Sequence, residues 1–201
     1  MTVVLAVTFA YFVGSIPFAY LLSRQQGIDL RRTGSGNVGA SNVLRTTGLR
    51  AAVLAMVLDG VKGTIAVVLA QLLSAGVVTS VAAAFASIVG HVYPIWLRFR
   101  GGKGVATAAG AFVVLAPEAL GVASCVFVIA VIATRFISVG SIAGALTLAI
   151  VAAFSDVPGV IAIGATASTV IIIYRHRDNL VRLVSGTERR IGQRVVKETV
   201  R

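Results

Sequence analysis

Arg31-Arg32-Thr33-Gly34-Ser35-Gly36-Asn37-Val38-Gly39-Ala40-Ser41-Asn42-Val43-Leu44-Arg45 is a concentrated run of polar chemistry in a mostly apolar chain. Gly34, Gly36 and Gly39 free the backbone for positive φ and for close approach of a ligand. Successive N–H groups in such a loop can form a concave anion site. Arg31, Arg32 and Arg45 flank it with permanent positive charge, and guanidinium suits phosphate oxygens. Ser35, Asn37, Ser41 and Asn42 add neutral donors, and no acid lies between Asp29 and Asp59. The run fits a phosphate cradle. It fits equally an interhelical loop whose arginines face anionic lipid.

A second run, Gly101-Gly102-Lys103-Gly104, sets a lysine among three glycines just before an apolar stretch. Helix N-termini and glycine turns favour anions. It is not a Walker A loop, because Gly104 stands where Ser or Thr is required and Leu97 where the first glycine should be. The alternative is a lysine snorkelling at a helix end. A third run is Tyr174-Arg175-His176-Arg177-Asp178-Asn179-Leu180. His176 there fits a general base, a phosphate donor or interface filler. His176 and Asn179 are three apart, so one helical turn would aim both at one site.

Other candidates carry less. Asp59 and Lys62 share a helix face and read most simply as a structural pair, although intramembrane ionisable residues are functional candidates. His91 reads as packing. Two distant histidines and the single Cys125 make no zinc site, so no metal is expected. No Gly-x-Ser-x-Gly elbow surrounds Ser35. The His-x-x-x-x-Asp pattern of acyl-CoA-dependent glycerolipid acyltransferases is absent, with Trp96 and Val181 where its aspartate would follow His91 and His176.

These runs must be held by membrane helices. The 201 residues are 57% hydrophobic, with 18 basic and 7 acidic side chains, and mean hydropathy is +0.95. That lies outside the soluble range. The basic residues fall between apolar spans, so membrane topology rather than nucleic acid explains them. The first run, Met1 to Leu22, lacks a charged n-region and a cleavage site and reads as a transmembrane helix. Expected spans are Thr2 to Leu22 with a kink at Pro17, Ala51 to Leu73, Val81 to Leu97, Val139 to Phe154 and Gly159 to Tyr174. An uncharged turn is expected at Ser74 to Ser80. Val105 to Thr134 is long for one span and short for two. Pro117-Glu118 divides it into Val105 to Ala116 and Ala119 to Thr134, a hairpin of two short helices that cross fully or re-enter.

The expected fold is therefore an all-α integral membrane protein of about seven transmembrane helices, in one membrane-embedded domain over residues 1–201. With the N-terminus outside, all three polar runs and the arginine-rich tail fall on the cytoplasmic side, as the positive-inside rule asks. The outer turns then carry only Glu118 and Asp156. Charge does not separate five full spans from seven. A transporter for a phosphorylated solute would also want cationic glycine loops, but no inverted repeat is apparent. A membrane scaffold leaves the three donor clusters unexplained.

Gly14-Ser15-Ile16-Pro17-Phe18, Gly34 to Ala40, Gly90-His91-Val92-Tyr93-Pro94, Gly101 to Thr107, and Tyr174 to Asn179 with Gly186-Thr187-Glu188 occur in order along nearly the whole chain. The ordered set resembles the bacterial acyl-phosphate:glycerol-3-phosphate acyltransferase family. The resemblance implies a seven-helix enzyme of the bacterial cell membrane. It would move a fatty acyl group from acyl phosphate to the 1-position of glycerol 3-phosphate, without cofactor, metal or acyl-CoA. It also implies a functional link to an enzyme that produces acyl phosphate. Ser35, Asn37, Arg45, Lys103, His176, Asn179 and Ser141 carry over as site residues; Ser41 and Asp178 depart mildly from the Thr and Glu of the pattern. Ser35, Arg45, Lys103, His176 and Asn179 are the catalytic candidates. Gly34, Gly36, Asn37, Gly39, Asn42, Gly101, Gly102, Gly104 and Ser141 are the substrate-binding ones.

Overall fold

A computed structural model describes residues 1–73 and 76–192, all helix and connecting loop, with no strand among them. α1 (Thr2–Ser15) and α2 (Phe18–Gln25) are separated at Ile16-Pro17. Proline lacks an N–H and its ring opposes the preceding turn, so the expected kink is a break. A long loop leads to α3 (Ala40–Thr46) and then α4 (Leu49–Leu72). α5 is Gly76–Val92, closed by Pro94 and a 3₁₀ turn at Ile95–Leu97. The third apolar helix thus starts five residues before the expected Val81. Most of the turn expected at Ser74 to Ser80 is helical, and Ser74 and Ala75 lie outside the described residues. Arg194, Lys197 and Arg201 of the tail also lie outside them.

Val105 to Thr134 divides where the proline requires. α6 is Val105–Leu115, and α7 is Pro117–Thr134 with Pro117 in its first turn, where a missing N–H costs nothing. Only α6 is short. Its eleven residues extend about 16 Å, roughly half the apolar thickness of a bilayer. α7 has eighteen residues, enough to cross, which corrects the expectation of two short helices. α8 (Ile137–Phe154) and α9 (Gly159–Arg175) follow, and α10 (Arg177–Val184) bends 54° away from α9 at His176. Among the described residues, five helical segments are long and apolar enough to cross a membrane, counting α1 and α2 as one. The bent α9–α10 pair makes a sixth.

Small residues let these helices approach, as packing in lipid demands. A Cβ on Gly110 of α6 would lie 1.8 Å from the Gly60 carbonyl of α4, and one on Gly63 would lie 2.1 Å from the Thr107 carbonyl. α1 meets α5 the same way, with Gly14 against Ser87 and Gly90 against Tyr11. The main apolar core joins α4 to α9 through Val67, Ile88, Phe112, Leu148 and Ile172. Large apolar side chains such as Ile132, Phe154, Ile163 and Val170 face outward, as a lipid-facing surface would. Residues of α4, α6, α7 and α8 line a cavity.

Candidate active site

The loop before α3 is built around Asn42. Its Nδ2 donates to the carbonyls of Leu30 (3.2 Å), Thr33 (2.9 Å) and Asn37 (3.0 Å), and its Oδ1 accepts from the Ser35 N–H at 3.0 Å. Asn42 is fully buried. It therefore shapes the loop rather than offering a donor to a ligand, a correction to its expected binding role. Gly34, at φ +68°, is glycine for the same reason, because a Cβ there would lie 2.2 Å from Asn42 Oδ1. Gly34 and Gly36 shape the turn and stay out of the cavity wall. The Gly36 N–H bonds the Thr33 carbonyl, and Ser35 Oγ accepts from the Asn37 N–H at 3.4 Å. Arg31 folds back on Asp29 at 2.9 Å and on the Tyr20 hydroxyl. The expected charge of this loop is thus partly neutralised from just outside it.

The Gly101-Gly102 segment also differs from an open anion cradle. Its N–H groups bond the carbonyls of Val92 (3.0 Å) and His91 (3.1 Å). Its carbonyls accept from Arg175 at 3.2 and 3.3 Å. A Cβ on Gly101 would lie 2.1 Å from the His91 carbonyl. Both glycines are taken up by packing and backbone bonds, and of this run Lys103 and Gly104 line the cavity. Gly104, at φ +87°, turns the chain into α6.

Asn37, Gly39, Ser41, Arg45, Lys103, Gly104, Ser141, His176 and Asn179 line one cavity of about 450 Å³. All three polar runs meet there. Lys103 Nζ donates to Asn179 Oδ1. Asn179 Nδ2 donates to Glu188 Oε1 at 2.6 Å, which fixes the amide's orientation. Glu188 also accepts from Ser138 (3.0 Å) and, at Oε2, from Arg182 Nε (2.7 Å). Burial raises the Glu188 carboxyl, but the bonds from Asn179, Arg182 and Ser138 outweigh it and hold the pKa below the usual value. Arg45 donates to the Ser41 and Arg189 carbonyls at 3.2 Å each. Ser141 Oγ donates to the Ile137 carbonyl at 2.9 Å.

Burial lowers Lys103 to about 8, with the nearby arginines opposing its charge and Glu188 favouring it. Burial, then the Lys103 charge, lowers His176 to about 4. Its Nδ1 is 2.8 Å from the Ile172 carbonyl, which can only accept. Nδ1 therefore carries the proton, and Nε2 keeps its lone pair. The cavity continues into a mostly apolar part walled by α4, α6, α7 and α8, with Met56, Val57, Leu120, Phe127, Val128 and Leu148 among its residues; Asp59 and His91 also reach the cavity wall.

Glu188, Ser138 and Arg182 were not singled out as site residues in the sequence. Glu188 sits in the Gly186-Thr187-Glu188 turn, whose N–H groups at Thr187 and Glu188 bond the Arg182 carbonyl. An acid just after a glycine turn in an arginine-rich tail was the available signal.

The family model described as "Glycerol-3-phosphate acyltransferase" matches residues 4–186. A protein of that name from Geobacter sulfurreducens is 44% identical over 183 residues, covering 90% of this chain and 93% of its own. One from Desulforamulus reducens is 40% identical over 195 residues, covering 96% and 98%. Two crystal structures of PlsY, described as an integral membrane glycerol 3-phosphate acyltransferase, superpose closely. Its glycerol 3-phosphate form has a TM-score of 0.91 at 35% identity, and its lysophosphatidic acid form 0.89 at 34%, each covering 96% of both chains. With its polar runs gathered at one cavity and most of its length matched by these proteins, the chain belongs to the glycerol-3-phosphate acyltransferase family.

Proposed function

We propose that this protein transfers a fatty acyl group from acyl phosphate to the 1-position of glycerol 3-phosphate, giving lysophosphatidic acid and inorganic phosphate. The observation that carries the reading is one cavity with two chemistries. Arg45, Lys103, His176 and Asn179 meet an apolar groove between α4, α6, α7 and α8. Both substrates bring phosphate, and only the acyl donor needs the groove.

The hydroxyl of glycerol 3-phosphate attacks the acyl carbonyl carbon. The bond between that carbon and the phosphate oxygen breaks, and the hydroxyl proton passes to the departing phosphate. Acyl phosphate is an activated mixed anhydride, so no covalent enzyme intermediate is needed. The protein positions the reactants and stabilises charge. Lys103 places an ammonium beside the leaving phosphate, Asn179 orients Lys103, and Glu188 orients Asn179. His176 Nε2 at first accepts a hydrogen bond from the attacking hydroxyl and aims it, and that same proton turns to the phosphate as the new bond forms. At a pKa of about 4 it is a weak base, which makes the leaving phosphate the better proton acceptor. Arg45 exchanges its backbone carbonyl partners for a phosphate oxygen, a stronger charge-assisted bond. Ser35 acts through Asn37, whose N–H it holds.

The charge asymmetry supports a site open to the cytoplasmic side of a bacterial cell membrane, with acyl phosphate supplied there by a separate enzyme. The test is direct. Purified protein given acyl phosphate and labelled glycerol 3-phosphate should form lysophosphatidic acid. Inorganic phosphate should inhibit competitively. Efficient turnover with acyl-CoA in place of acyl phosphate, or no product at all, overturns the reading.

A further inference from the structure

Asp59, Lys62 and His91 form a buried set that the reaction above does not use; Asp59 and His91 reach the cavity wall, and Lys62 lies behind them. Lys62 Nζ lies 2.8 Å from Asp59 Oδ1 and donates to the Ile16 carbonyl, at the break between α1 and α2, at 3.0 Å. His91 Nδ1 lies 3.5 Å from the same Asp59 oxygen. Charged groups among packed membrane helices are costly to desolvate, and packing alone does not require them.

The far edge of the His91 ring closes on the loop that carries Lys103. A Cβ on Gly102 would lie 2.1 Å from His91 Nε2. The His91 carbonyl accepts the Gly102 N–H at 3.1 Å. Arg175 holds the carbonyls of Gly101 and Gly102. Gly102 is thus clamped by the His91 ring and Arg175, and Lys103 is the next residue. The connection runs from the α1–α2 break through Lys62, Asp59 and His91 to Gly102, and ends at the ammonium that meets Asn179.

We infer that His91, held by Asp59 and Lys62, is a positioning residue for Lys103, setting where the Gly102 backbone lies and so where the ammonium stands in the cavity. This rests on the role proposed above for Lys103. The ring contributes shape and a fixed anchor, and it touches no reacting atom.

A double-mutant cycle tests it. His91→Ala is measured alone and in the Lys103→Ala background, by steady-state kinetics with acyl phosphate and glycerol 3-phosphate and by thermal melting of the detergent-purified protein. Misplacing a catalytic group by about 1 Å can cost about 10²-fold in rate. A loss in kcat approaching that is expected from His91→Ala alone. In the Lys103→Ala background the same change should alter kcat by no more than about twofold, the scatter expected where nothing is left to position. His91→Gln, which fills the space and can still reach Asp59, should recover part of the loss. Equal losses in both backgrounds, or full activity in His91→Ala, overturn the inference. Should His91→Ala fail to fold, Asp59→Asn carries the same cycle.

A second readout follows the Lys103 charge. Lys103 is faced by Arg45, Arg175, Arg182, His176 and Glu188. Freed from the clamp toward water, it should move the alkaline limb of kcat/KM upward from about 8. A purely structural role for His91 leaves that limb in place, and this result too overturns the inference. Product formation by the unaltered protein separates the outcomes, since an active wild type with an additive cycle removes the His91 role and leaves the acyltransferase reading intact.

Discussion

Lys103 is the residue on which the site's charge turns. It sits in a loop whose backbone groups are already engaged, and its ammonium donates to Asn179, which in turn donates to Glu188. Lys103→Ala should lower kcat as well as kcat/KM, by roughly 10²–10³, the cost of removing one preorganised donor. Steady-state kinetics on folded variants checks this, and full activity would return Lys103 to a snorkelling role. The pH dependence has a definite sign. Lys103 is charged below its pKa of about 8 and neutral above it, so kcat/KM, which reports the free enzyme, should fall as pH rises through about 8. Lys103→Arg should be slower at neutral pH, because the planar fork needs different geometry. It should also lose the alkaline limb, because guanidinium stays protonated. An unchanged limb in Lys103→Arg would assign it to another group. His176 is neutral above about 4, so no acid limb near 6.5 should disappear on His176→Asn.

At the scale of elements, one close helix contact lies in the cavity wall. α4 and α6 touch through Gly60 and Gly110, with no room for a methyl between them. Gly110→Ala must push the helices apart, and such overpacking typically costs about 1–3 kcal/mol. Its melting temperature in detergent should fall, and an unchanged value would mean that α6 shifts without cost. The apolar part of the cavity includes Leu120, in the first turn of α7, and Leu148 of α8. α6, which lines it, is about 16 Å long. Leu120→Trp should shorten the acyl chain that is accepted. Measured over a series of acyl phosphates, kcat/KM should fall for the longest chains and hold for shorter ones. A uniform loss would place the chain elsewhere. The prolines set these elements locally, since Pro17, Pro94, Pro117 and Pro158 each stand at a helix boundary.

Across the whole molecule, charge supports an orientation that contacts do not address. In a Cys125→Ser background, a cysteine at Asp156 should react with an impermeant thiol reagent in intact cells. One at Arg32 should react only after permeabilisation. Both positions are exposed, and equal labelling of the two would sink the proposed topology. The all-helical membrane class and the convergence of Arg45, Lys103, His176 and Asn179 were legible in the amino-acid sequence. Apolar runs, prolines and glycine-flanked cations act through neighbours a few residues away, and their order along the chain carried the family. What each side chain does in place was decided by the tertiary structure. Asn42 became the hub of its loop because Leu30, Thr33 and Asn37 turn their carbonyls toward it. Gly101 and Gly102 became packing surfaces because His91 lies against them and Arg175 bonds their carbonyls. Glu188 joined the site because the turn after α10 brings it to Asn179 and Ser138, the latter fifty residues away in sequence. Local patterning determines where a membrane chain bends and where its cations gather, whereas the partner of a buried polar group depends on which distant segment packing brings beside it.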